Sequence, residues 1–205
     1  MAVAQTEKAA ATVRESSRAG GRDMTAGRGL VAAASRDSRT TTKTKEVPAM
    51  NLEELEKRVR RLEDIEAIRD LKARYCRYCD DGYDPDGIAG LFVEDGVWDG
   101  GPLGRCEGRE AIRKFFRGAS RRVSFAIHHV MNPRITVDGD RATGAWYLFQ
   151  PCTFVEGDRA MWMAARYADE YVRVGGEWKF EKVSVDLSFV TPYDEGWAKT
   201  RFAQP

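Results

Sequence analysis

Residues 134–190 read RITVDGDRATGAWYLFQPCTFVEGDRAMWMAARYADEYVRVGGEWKFEKVSVDLSFV, and this run decides the fold. Apolar and polar residues alternate through much of it, the two-residue period of strands that bury one face. Three clusters punctuate it: Asp138-Gly139-Asp140, Glu156-Gly157-Asp158 and Gly175-Gly176. Each is short and carries glycine, as tight hairpin turns require. Because the alternation begins near residue 124, four long strands are expected, over about 124–137, 141–155, 159–174 and 177–190. Joins this short make neighbouring strands antiparallel.

Upstream, the period is helical. Asn51 is a good helix cap, and Glu53 and Glu54 suit the positive end of the helix dipole. Leu52, Leu55, Val59, Leu62, Ile65, Ile68 and Leu71 follow at spacings of three and four, which predicts an amphipathic helix to about Cys79. Its first two turns are charged apart from the Leu/Val stripe and are expected to pack on a partner subunit. Asp80-Asp81-Gly82 ends it. Pro85 starts a short second helix through Phe92. Gly96-Val97-Trp98 reads as a short strand, and Gly100-Gly101-Pro102 as a turn. Residues 108–118 form a third helix with Ile112, Phe115 and Phe116 on one face. The expected fold is α+β, a cone-like barrel with about three N-terminal helices on a curved, mainly antiparallel sheet. Three helices do not cover such long strands, so a pocket is expected inside the cone. The opposite sheet face is left for oligomer contacts.

Composition divides the 205 residues unequally. All 21 aromatic residues, all four cysteines and both histidines lie after residue 50. Residues 1–50 carry a net charge of +4 and the remainder −3, which together give the overall +1. Residues 1–50 are rich in Ala, Ser, Thr, Arg and Gly, and such a segment cannot bury enough surface to offset ordering entropy. It is expected to be a disordered basic tail, with residues 51–205 the folded domain. Met50, directly before a clean helix start, is a candidate initiator that would make the tail a mis-annotated start. No apolar run suits a secretory signal or reaches the roughly 20 residues of a membrane span. The balanced charge argues against a general nucleic-acid binder. A cytoplasmic protein is expected.

The chemistry candidates follow from residue type and place. Trp98, Phe116, Trp146, Tyr147, Phe149, Trp162, Tyr167, Trp178 and Phe189 suggest an aromatic-lined cavity for an apolar ring compound. His128 and His129 are the only histidines, and neighbours on a strand point to opposite faces. The inner one is a candidate general base, held in one tautomer by a carboxylate. Asp80, Asp81, Asp84 and Asp86 crowd the end of the first helix; one of them turned inward would serve that histidine. No glutamate follows at calcium-loop spacing. Tyr75 and Tyr78 lie on the last helical turns, where a phenol can donate to a developing oxyanion. Cys76-x-x-Cys79 sits inside the helix without a second pair at metal spacing, so no metal is expected, and the thiols read as buried and reduced. Gly-x-Ser-x-Gly is absent, as is any glycine-rich nucleotide motif. Arg121-Arg122 reads as a solvated loop pair.

The chain from about 51 to 197 resembles the SnoaL-like branch of the nuclear transport factor 2-like superfamily. The resemblance rests on Tyr75-x4-Asp80, Leu91-Phe92-x-Glu94-Asp95-Gly96-Val97-Trp98 and Gly108-Arg109-Glu110-Ala111-Ile112. It continues through His128-x3-Asn132-Pro133, Val137-Asp138-Gly139-Asp140-x-Ala142-Thr143 and Arg166-Tyr167-x-Asp169-Glu170-Tyr171. That superfamily includes cofactor-independent dehydratases, dehydrochlorinases, polyketide cyclases and non-catalytic members. A pattern like that of bile acid 7α-dehydratase places its tyrosine on Tyr75, its first aspartate on Asp80 and its histidine on His128. Its second aspartate falls on Gln150. A dehydrochlorinase-like alignment keeps His128 and moves the aspartate to Asp81.

The resemblance implies a lyase, isomerase or cyclase without a cofactor, acting on an apolar cyclic, steroid- or polyketide-like molecule. His128 would be the base, Asp80 or Asp81 its partner and Tyr75 the hydrogen-bond donor. Trp98, Trp146, Gln150, Phe116 and Phe189 would contact the ligand. The alternatives are a non-catalytic small-molecule-binding protein and the structural small subunit of a ring-hydroxylating dioxygenase. A homo-oligomer, dimer or trimer, is expected.

Overall fold

A computed structural model describes residues 51–203. The tail expected over residues 1–50, Met50 included, lies outside the described residues. Helix α1 spans Leu52–Asp80, α2 Pro85–Gly90 and α3 Arg109–Ala119. The strands are β1 Phe92–Asp99, β2 Arg105–Glu107, β3 Val123–Ala126, β4 His129–Asp138, β5 Arg141–Phe154, β6 Arg159–Val174 and β7 Glu177–Pro192. The sheet order is β2-β1-β7-β6-β5-β3, with β4 also paired to β5. Every pairing is antiparallel except the parallel β1–β7 contact. The three helices pack on one face of this curved, mixed sheet, as the change of period implied.

Local chemistry accounts for the elements. The Asn51 side chain accepts from the Glu54 N–H at 2.8 Å, satisfying one of the donors that a helix start leaves open. Strand β5 buries every second residue from Ala142 to Phe154, so one face of the hairpin sheet belongs to the core. Tyr171 is fully buried on the same inner face, paired with Ala142 and diagonal to Gly144. A Cβ at Gly144 would meet the Tyr171 ring at 2.9 Å and its hydroxyl at 3.0 Å. Gly144→Ala is therefore expected to destabilise the fold by about 1–3 kcal/mol through overpacking, read from a urea midpoint.

Three features depart from the expectation. The strand foreseen over 124–137 is interrupted at Ile127 and His128, and β3 and β4 pair with successive parts of β5. Pro151 faces this gap. It has no N–H to offer, and its carbonyl accepts from Ile127 N–H at 3.1 Å. The strand expected at 96–98 extends over Phe92–Asp99, and β2 joins it beyond the glycine turn. In α1, burial begins in earnest only at Ile68. Leu52, Leu55, Val59 and Leu62 stand exposed, because no described element covers that end of the helix.

Two polar residues of α1 are buried instead. Asp64 accepts from Arg173 at 2.7 Å and from the Trp178 indole at 3.2 Å, which ties the helix to the β6–β7 hairpin. Lys72 pairs with Asp169 at 2.9 Å, with both side chains fully buried. The ammonium also lies 3.3 Å from the centroid of the Tyr167 ring. Tyr171 donates to Asp169 at 3.0 Å and accepts from Trp146 at 3.1 Å. No helix among the described residues is long and apolar enough to cross a membrane.

Candidate functional site

The interrupted strand is where the chemistry gathers. His128 lies in the gap between β3 and β4, outside the ladder, so its backbone N–H needs another acceptor. Asp80, the last residue of α1, provides it: its two carboxylate oxygens lie 3.0 and 3.2 Å from that N–H. One of those oxygens also sits 2.6 Å from the His128 ring Nδ1. The carboxylate thus fixes both backbone and ring. An ionised Asp80 accepts from Nδ1–H, which leaves Nε2 as the basic nitrogen. The negative end of the α1 dipole adds to the attraction for an imidazolium. The histidine side chain is only 6% exposed and the aspartate 26%, so water screens the pair incompletely.

His128 contributes to the wall of a cavity of about 580 Å³, within the range of small-molecule sites. Tyr75, Trp98, Phe116 and Gln150 line it too. Trp98 donates to the Tyr75 hydroxyl oxygen at 3.0 Å, which uses a lone pair and leaves the phenol O–H as a donor. Burial raises the Tyr75 phenol well above its ordinary value, so it stays protonated. Trp98 packs on Phe115 and Phe116, with ring centroids 4.6 and 5.3 Å apart. Gln150 is buried, with its amide against the Tyr83 hydroxyl and the Cys152 thiol.

Not every expected residue is here. Asp81 is exposed at the end of α1; one residue turns a helix by about 100°, which carries it away from His128. Of the two aspartates, the structure brings Asp80 to the ring. Trp146 faces inward, but its indole joins the Tyr171–Asp169 cluster and does not line the cavity. Phe189 is on the opposite face, stacked on Trp197 at 5.0 Å. The register explains it: Leu187 pairs with Ala165 and Phe189 with Ala164, so Ser188 is an extra residue. One inserted residue reverses the face of everything beyond it. His129 is exposed and Tyr78 half-buried. Asp84 caps α2, and Asp86 pairs with Arg113 at 2.7 Å. Among the described residues Cys76, Cys79 and Cys152 are buried free thiols, and burial pushes Cys76 and Cys152 up to about 11.

Sequence reasoning missed Tyr83. This non-glycine residue holds φ +61°, directly after Gly82 at +81°. Its N–H and that of Asp84 reach back to the carbonyls of Cys79 and Tyr78, at 3.1 and 2.9 Å. This left-handed turn aims the ring into the cavity, stacked on Phe116 and edge-on to His128. Burial raises its phenol as well. Only the glycine before it hinted at such a turn.

A family model for the SnoaL-like domain matches residues 60–184. The chain belongs to the SnoaL-like family. The chain shares 34% identity over 80 residues with gamma-hexachlorocyclohexane dehydrochlorinase of Sphingobium indicum. That match takes in 38% of this chain, and the chain spans about half (49%) of the length of that relative. Among solved structures, the hexachlorocyclohexane dehydrochlorinase of Novosphingobium barchaimii is 27% identical with a TM-score of 0.60, over 71% of this chain and 97% of that one. A protein assigned as a scytalone dehydratase from Novosphingobium aromaticivorans is 25% identical with a TM-score of 0.60, over 65% and 89%. One assigned as an aromatic ring hydroxylase from the same species is 28% identical with a TM-score of 0.60, over 64% and 94%. Lyases of small molecules therefore stand among the relatives of this SnoaL-like domain.

Proposed function

We propose that this SnoaL-like domain is a cofactor-independent acid–base enzyme, a lyase or isomerase for an apolar cyclic small molecule. The observation that carries the reading is the 2.6 Å contact between Asp80 and His128 Nδ1 at the wall of an aromatic cavity. His128 Nε2 takes a proton from a ring carbon next to a carbonyl or to a carbon bearing the leaving group. The C–H electron pair becomes an enolate or a new C=C bond, and Asp80 stabilises the imidazolium formed. Tyr75 hydrogen-bonds the enolate oxygen or the departing group. Gln150, a neutral amide, supplies a hydrogen bond and no charge. The dehydrochlorinase and dehydratase relatives support an elimination.

The test is α-proton exchange. Decalone, tetralone and a steroid 3-ketone are incubated with the protein in D2O, and deuterium uptake is followed by mass spectrometry. Uptake above buffer that depends on His128 is expected. Uptake at the buffer rate for all three overturns the reading in favour of a binding protein. The likeness to an aromatic ring hydroxylase favours a second reading, a dioxygenase small subunit. Co-purification of a stable large partner chain would support that one.

Self-association is part of the same proposal. Leu52, Leu55, Val59 and Leu62 on α1 are exposed. On the outer sheet face Trp162 stacks on Phe149 and packs against Tyr193. Both surfaces suit a second copy of this chain. Sedimentation equilibrium at micromolar concentration is expected to show a dimer or trimer; a monomer overturns it.

A further inference from the structure

The arginine pair that the sequence presents as a solvated loop lies at the cavity. Arg121 and Arg122 follow α3 and line the cavity together with Val155 and Glu156 from the turn after β5, and with Pro102 and Leu103 from the turn after β1. The backbone there is pinned. Arg122 N–H donates to the Ala119 carbonyl at 2.9 Å, and the Arg122 carbonyl accepts from Val155 N–H at 2.9 Å. The Arg122 guanidinium lies 5.2 Å from the Phe115 ring centroid. Phe115 in turn packs on Trp98, which donates to Tyr75. One continuous aromatic wall therefore runs from the guanidinium to the phenol of the proposed reaction centre.

Charge at this rim is unbalanced. Arg105, Arg109 and Arg113, which precede the pair in the chain, each hold a carboxylate partner. Among the described residues, neither Arg121 nor Arg122 makes an ion pair, and the one Asp or Glu lining the cavity is Glu156. Arg121 and Arg122, both exposed, thus bring positive charge to the lining of a largely apolar chamber, a charge pattern suited to an amphipathic ligand. A guanidinium presents paired N–H donors that match the two oxygens of a carboxylate.

We propose that the cavity takes ring compounds bearing a carboxylate, with the apolar rings against the Trp98–Phe116 wall and the carboxylate on Arg121 and Arg122 at the mouth. The inference rests on the cavity being the ligand site, and it names the chemical class that the site selects. It places the reacting ring carbon at the His128 end and the anion at the other, so the acid group orients the substrate without entering the chemistry.

The test is calorimetric titration of the full chain with naphthalene-2-carboxylate and with its methyl ester, in low salt. The acid is expected to bind about tenfold more tightly than the ester, because charge-assisted bonds to arginine are stronger than neutral ones. The R121Q/R122Q double variant is expected to lose that preference, so that acid and ester bind it with similar affinity. High salt is expected to erode the preference in the unaltered protein, since the rim is exposed. Equal binding of acid and ester, or a preference that survives in the double variant, overturns the inference and leaves the cavity reading standing. Absence of binding by either compound overturns both.

Discussion

Replacing His128 by alanine lowers the rate of α-proton exchange on a responsive cyclic ketone by about 10²–10⁴-fold, the usual contribution of one positioned acid or base. The fold survives, because the backbone N–H of residue 128, not its ring, holds the β3–β4 gap against Asp80 at 3.0 Å. An unchanged thermal midpoint together with the lost rate is the expected pair of observations. Asp80→Asn reduces the rate less steeply, since the amide still meets the backbone but no longer stabilises an imidazolium. Its partner in the comparison is Asp81→Asn, expected to leave the rate within about threefold of the unaltered protein, as its carboxylate is exposed and away from the ring. Loss of rate in D81N with retention in D80N would reverse the assignment of the dyad. A rate in H128A within threefold of the original would remove the base altogether.

Replacing Lys72 by methionine destabilises the fold by about 3–5 kcal/mol, the cost of removing one partner from a buried ion pair. Methionine fills similar volume, so the loss comes from the carboxylate of Asp169 left without its cation. One Asp169 oxygen, Oδ1, already has no hydrogen-bond partner among the described residues, which leaves little to compensate. Burial raises the Asp169 carboxyl above the ordinary range, and Lys72 is the chief influence pulling it back. Without Lys72 the carboxyl binds its proton more tightly in the folded chain than in the unfolded one. Stability of the variant then falls as pH rises through the window between the unfolded and folded values. The deficit relative to the unaltered protein is therefore smallest near the ordinary carboxylate value of about 3.9 and largest at neutral pH. Urea melts at both ends of that range check the sign. K72M/D169N is expected to recover part of the loss, because no charge remains buried.

The strand meander was legible because its signals are local. Alternation from Ala142 to Phe154 and the glycine turns at 139, 157 and 175–176 each lie within a few residues of what they determine. The helix start at Asn51 is local in the same way. The errors occur where the outcome depends on a neighbour distant in sequence. The interruption at Ile127–His128 faces Pro151 on the next strand. The displacement of Phe189 comes from one extra residue, Ser188, in the pairing with β6. Nothing in the helical period of α1 marks Lys72 as buried, since its partner Asp169 is 97 residues away.

The sequence by itself determined the three helices ahead of an antiparallel meander, the aromatic character of the interior, and the candidates for acid–base work: Tyr75, His128 and an aspartate at the end of α1. Hydrophobic period and turn chemistry act over a few residues, so they can be read along the chain. Only the tertiary structure decided that Asp80 and not Asp81 meets the ring, and that Tyr83 and Gln150 share the cavity while Trp146 and Phe189 do not. It alone placed the exposed Arg121-Arg122 pair in the lining of the cavity. The reason is geometric: a 100° turn of a helix or a single bulged residue redirects a side chain completely, and neither leaves a mark in composition or period.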